Sequence, residues 1–165
     1  MIMNKYFTTK TITTLAVITA LNLALSYVVR IPTPGGYVNL VEAGIFLVAL
    51  LGSARSGMIV GGLSGLLLDL LAGYAAWAPF SLVIHGLEGY LAGLIGAKKS
   101  VMSQTIAVIV ASFVMVVGYF FATAFLSHSW ATGFASIIGN IAQCAFGLII
   151  ALVVRPALSK RVTLN

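Results

Sequence analysis

Acidic residues are almost missing from this chain: 165 residues hold only Glu42, Asp69 and Glu88, and charged residues of both signs make up 7%. Soluble globular domains carry about a quarter charged residues, so a water-facing surface cannot be assembled from this composition. Cysteine is down to Cys144, inside an apolar run, which excludes a disulfide framework and a thiolate metal cluster and leaves a small buried hydrophobe. A phosphate-binding GxxxxGK[ST] loop is lacking too. Gly96-Ala97-Lys98-Lys99-Ser100 has neither its glycine spacing nor a preceding strand, so nucleotide hydrolysis is excluded. There is no Ser–His–acid set and no redox motif. His85 and Glu88 lack an obvious third metal ligand, so no metal and no cofactor is expected in the chain. Period-2 alternation is also scarce, which argues against a β-barrel.

What the chain has is apolar length. It is 61% hydrophobic with mean hydropathy +1.12. Measured against the roughly 20 residues that cross a bilayer core, it divides into spans near 11–29, 41–53, 57–73, 79–97, 104–127 and 132–154. The expectation is an all-α integral membrane protein, one six-helix bundle over residues 1–165, with no soluble domain or long linker. Of the nine Lys and Arg residues, Lys5, Lys10, Arg55, Lys98, Lys99, Arg155, Lys160 and Arg161 fall on one side of such a bundle and only Arg30 on the other. The positive-inside rule then puts both termini in the cytoplasm of a multi-pass cell-membrane protein. The net charge of +6 is a topology signal with some attraction for anionic lipid; no basic patch with interleaved aromatics points to nucleic acid. Reading the first span as a cleaved secretory signal, with Ala24-Leu25-Ser26 as its site, would destroy that charge asymmetry.

Function is sought in the polar residues that this apolar frame retains. Ile31-Pro32-Thr33-Pro34-Gly35-Gly36-Tyr37-Val38-Asn39-Leu40 reads as a stiff loop at the bundle mouth, with Tyr37 and Asn39 presented to a ligand. Ser81, His85 and Glu88 share one helix face, with His85 about 9 Å and Glu88 about 13–14 Å below the outer end of the fourth span. Ser136, Asn140, Gln143 and Gly147 form a polar-and-small stripe at similar depth on the sixth span, and Tyr119 and Thr123 lie near the outer end of the fifth. With Tyr74, Trp77 and Trp130 above them, these residues outline an aromatic-walled cup with a hydrogen-bonding floor, as small-molecule sites have. Singly, each is equally well explained by helix bridging or an interfacial belt. Gly57, Gly61 and Gly65 read as a packing row, and Ala16, Ala20 and Ala24 as either a packing stripe or a smooth outer face.

The order of small-residue first helix, IPTPGGYVNL loop, Gly-rich third helix with Asp69, then Gly73-Tyr74-Ala75-Ala76-Trp77-Ala78-Pro79-Phe80 and His85-Gly86-Leu87-Glu88-Gly89 resembles the S component of an energy-coupling factor (ECF) vitamin transporter. It is most similar to the branch assigned to hydroxymethylpyrimidine or pyridoxine. The resemblance implies a substrate-binding subunit with an outward pocket, which delivers a vitamin inward with a transmembrane coupling subunit and two cytoplasmic ATPases. ATP is then used by the partners. It also implies that Ala16, Ala20 and Ala24 meet the coupling subunit and that the region around Tyr37 and Asn39 is a ligand lid. Tyr74, Trp77, His85, Glu88, Tyr119, Asn140 and Gln143 are the remaining candidate contacts. Two alternatives stay open at this stage: an ion-coupled carrier using Asp69, His85 and Glu88 as a relay, and a membrane enzyme with His85 and Glu88 as acid–base pair.

Overall fold

In the computed structural model, which describes residues 8–33, 36–97 and 100–159 (backbone alone at 32, 33, 36 and 37), the described residues form six helices and, between the first two, a small hairpin. The first helix, α1 (Thr9–Val28), is capped by the Thr8 hydroxyl, which accepts from the Thr11 N–H at 3.2 Å. Its polarity is inverted relative to a soluble helix. Leu15, Thr19, Asn22 and Ser26 are buried, whereas Ile12, Val17, Leu21 and Leu25 face outward. Lipid solvates apolar side chains and leaves polar groups to find partners inside the bundle, so this reversal follows from the solvent.

The predicted loop contains regular structure. Strands β1 (Arg30–Thr33) and β2 (Gly36–Asn39) pair antiparallel, with Arg30 opposite Asn39 and Thr33 opposite Gly36. The all-α class stands, with this small hairpin added; Pro32 suits an edge strand, where no ladder N–H is required.

A second difference concerns α2 (Val41–Leu51). Its 11 residues extend about 16 Å, roughly half a bilayer core, so it is shorter than the predicted second span. Five helices are long and apolar enough to cross: α1, α3 (Ala54–Leu71), α4 (Ala78–Gly96), α5 (Val101–Leu126) and α6 (Trp130–Ser159). The start of α5 and both ends of α6 extend beyond the predicted limits, through polar residues such as Ser103 and Arg155 that the hydropathy ruler trims.

The glycine row is the seam on which the fold closes. Gly57 lies against the Gly89 carbonyl and Gly61 against that of His85, so a Cβ at either position would enter backbone space. This is the close approach that small residues permit when lipid supplies no hydrophobic drive between helices. It also sets α4 at a fixed height on α3, which decides where His85 sits. Below the seam, Phe46, Ala49 and Leu50 of α2 meet Ala92, Ala107, Ala111 and Ala151 in the main apolar core.

Candidate functional site

Four helices converge on one buried imidazole. Gly65 of α3 has no side chain, and the His85 ring occupies the space that a Cβ there would take. Across the ring, His85 Nδ1 stands 2.9 Å from Glu88 Oε2, one helical turn on, and 3.5 Å from Glu42 Oε1 on α2. Glu42 enters because Gly147 lets α6 press directly on its Cβ and backbone. From α6, Gln143 Nε2 donates to Glu42 Oε1 at 3.1 Å. His85 is 3% exposed and both glutamates are 0% exposed, so this is a dry cluster.

On its other side the ring joins a second chain of groups. Tyr119 Oη of α5 is 3.0 Å from His85 Nε2 and 2.6 Å from Ser81 Oγ, and Ser81 donates to Asp69 Oδ2 at the end of α3. With Asp69 ionised, counting protons gives this chain one direction. The Ser81 proton goes to Asp69, so the Tyr119 proton must go to Ser81, and Tyr119 Oη then accepts from Nε2–H. With Nε2 protonated, the short contact on the Nδ1 side needs one further proton, held between His85 and Glu88. Asp69, Ser81, Tyr119, His85 and the two glutamates therefore form one directed network across α2, α3, α4 and α5, with Gln143 tying in α6.

Two carboxylate oxygens are left over. Glu42 Oε2 and Glu88 Oε1 are buried and receive no hydrogen bond from a donor among the described residues, while the two carboxyl groups lie close enough to hydrogen-bond each other through a proton. Buried acceptors without donors cost free energy, and charged ones cost more, so this pair is satisfied by a shared proton or by donors from a bound group. Glu42, His85 and Glu88 each offer an atom within 4.8 Å of the others, which supplies the third donor that the sequence left unassigned for a metal. The Nδ1 edge, however, is already engaged through a proton with Glu88, and the donor set as found is a hydrogen-bonding one.

The other sequence-derived candidates are distributed unevenly. Trp77 stacks on Tyr119 at 6.2 Å between centroids and roofs the network. Asn140 is half-buried and makes no hydrogen bond to the described residues, and Tyr74 is 49% exposed. Asn39 turns inward: its Oδ1 accepts from the Val41 N–H at 2.8 Å, an Asx turn that starts α2. The side chain of Tyr37 lies outside the described residues. Trp130, expected over the cup, instead packs on Phe120 and Phe121 and is 64% exposed. Ala16, Ala20 and Ala24 all lie on the exposed face of α1. Sequence reasoning had noted Glu42 only as an acid at a span edge. Its place opposite His85 had one legible sign, the glycine at 147 that admits it.

Comparison with known proteins decides the class. Residues 6–160 match the family model described as the ECF-type riboflavin transporter, S component. The chain belongs to that family. This S component is also 36% identical over 159 residues to the thiamine precursor transporter HmpT of Lactococcus lactis subsp. cremoris (strain MG1363), covering 94% of the present chain and 92% of the relative. An uncharacterised protein from Pyrococcus woesei is 34% identical over 125 residues, covering 74% and 83% respectively. The S component is thus a multi-pass cell-membrane subunit of an ECF importer, which binds a small substrate and performs no catalysis of its own. The enzyme and ion-coupled carrier alternatives fall away.

Proposed function

We propose that this S component binds a hydroxymethylpyrimidine-like vitamin precursor at the Glu42–His85–Glu88 cluster. The observation that carries the reading is the pair of buried carboxyl groups, Glu42 and Glu88, whose Oε2 and Oε1 receive no donor from the described residues and lie beside each other. With its ring nitrogen protonated, an aminopyrimidine offers that ring N–H and the exocyclic amine as neighbouring donors, which match a pair of carboxylate oxygens in a two-point contact. Trp77 and Tyr119 supply aromatic surface beside it, and Asn140, with its unused amide, reads the far edge. The name of the Lactococcus relative, a thiamine precursor transporter, favours this class, whereas the family description names riboflavin. Calorimetric titration of the purified chain with hydroxymethylpyrimidine, pyridoxine, thiamine and riboflavin tests it. Tightest binding of riboflavin would overturn the ligand assignment.

The chain acts as a single domain with six crossings, the hairpin and the short α2 together completing the second, and with both termini in the cytoplasm. Eight of its nine basic residues on one side support this orientation. Cysteine substitutions at tail positions should resist membrane-impermeant thiol reagents added to intact cells. Efficient labelling from outside would reverse the topology.

The partners are a transmembrane coupling subunit and two ATPases, and the coupling subunit docks on the exposed alanine face of α1. Ala20→Trp should sharply reduce co-purification of the coupling subunit and vitamin uptake. Ligand affinity should stay within about twofold of wild type, since a lipid-facing substitution perturbs the bundle little. Equal loss of affinity would mean that the stripe packs within the bundle instead.

A further inference from the structure

Asn22 lies on α1 with its neighbours Leu21 and Leu25 facing outward, yet it is only 5% exposed. A buried amide costs free energy unless its protons are used, and both of them are. Nδ2 donates to the Val41 carbonyl at 3.2 Å and to Ser64 Oγ at 3.1 Å. The first bond grips the opening turn of α2, one residue before Glu42. The second bond reaches α3 one residue before Gly65, the position that houses the His85 ring. Room for the amide comes from Gly44, where a Cβ would collide with the Asn22 side chain. The α2 turn is held on its other side by Asn39 Oδ1 at the Val41 N–H. Both side-chain bonds to the Val41 backbone thus come from outside α2, one from α1 and one from the hairpin.

From this geometry we infer that Asn22 is a positioning residue that ties the height of α1 to the placement of the Glu42 carboxylate. A load on the outer face of α1 and a ligand at Glu42 then act on one rigid contact, and each changes the other's binding. The coupling is reciprocal, since a shift in free energy between two sites is shared by both. This inference rests on the ligand and partner reading above. It adds the physical connection between the two surfaces, which stand on opposite faces of α1.

The test compares wild type with Asn22→Ala, Gly44→Ala, the double variant and Glu88→Gln, using hydroxymethylpyrimidine, pyridoxine and riboflavin in parallel and following the tightest binder. Asn22→Ala should weaken binding to the isolated chain about tenfold, as expected for losing buried hydrogen bonds next to an anchoring group. Gly44→Ala should weaken it similarly by displacing the amide, and the double variant should be no worse than Asn22→Ala alone. Asn22→Ser, which keeps one short donor, replaces Asn22→Ala if the latter does not fold. The decisive readout is the ratio of ligand dissociation rates with and without the assembled coupling subunit. A purely structural amide would slow or speed both equally and preserve that ratio, whereas a positioning amide collapses it toward one. An unchanged ratio, or affinity within about twofold of wild type, overturns the inference. If Glu88→Gln binds as wild type does, the ligand reading itself has failed, and the two failures are thereby separated.

Discussion

Glu88→Gln should weaken binding of the preferred vitamin by about 1.5–3 kcal/mol, roughly a 10- to 100-fold loss in affinity, the scale of a hydrogen bond to a charged group. The side chain is 0% exposed, with Oε2 committed to His85 at 2.9 Å and Oε1 receiving no donor from the described residues. The amide keeps the shape of the carboxylate, so the packing around it is undisturbed. It removes the negative charge, however, and places either an NH2 group toward His85 or an NH2 group toward the ligand. A donor-bearing ring loses in both arrangements. Glu42→Gln should be milder, because Gln143 can keep donating to the remaining amide oxygen. Calorimetry on the two variants ranks them, and if Glu88→Gln binds as tightly as wild type the carboxylate anchor is wrong.

The fold was legible where one solvent argument sufficed. Apolar length located α1, α3, α4, α5 and α6 within a few residues, and glycines at i, i+4, i+8 marked the α3–α4 seam. Hydropathy could not measure α2, because Gly52 and Ser53 read as a continuation of its apolar run although the helix has already ended there. The hairpin was hidden for a related reason: prolines and glycines report a turn, but the pairing of β1 with β2 depends on the helices that bring their ends together. Within the site, helical periodicity placed Ser81, His85 and Glu88 together on one face of α4, and depth placed Tyr119 beside them. Partners from different helices were beyond such arithmetic. Glu42 reaches His85, and Asn22 reaches Val41, only through the rotation of α1 and α2 about their axes. The capping role of Asn39 was not read from the sequence, although an Asn two residues before a helix has the helix's own N–H as its nearest donor.

His85→Ala should cost about 2–5 kcal/mol of stability, the largest loss expected from any single side chain in the network. His85 is the group that both glutamates address and, among the described residues, the hydrogen-bonding link between them and the Tyr119–Ser81–Asp69 chain. Its removal strips Glu88 Oε2 of a donor and leaves two carboxylates facing each other in a dry space with Glu42 held by Gln143 alone. Tyr119 loses the N–H that its oxygen accepts, and the space beside Gly65 becomes a cavity whose lining cannot close, because backbone already touches backbone along the seam. Thermal unfolding in detergent should show a clear drop in Tm. Combining His85→Leu with Glu42→Gln and Glu88→Gln should recover most of it, since uncharged groups of similar volume no longer need the imidazole. That triple variant should remain folded and fail to bind vitamin. If His85→Ala instead melts with wild type, the proton between His85 and Glu88 contributes nothing to the fold, and the directed network is only a geometric coincidence.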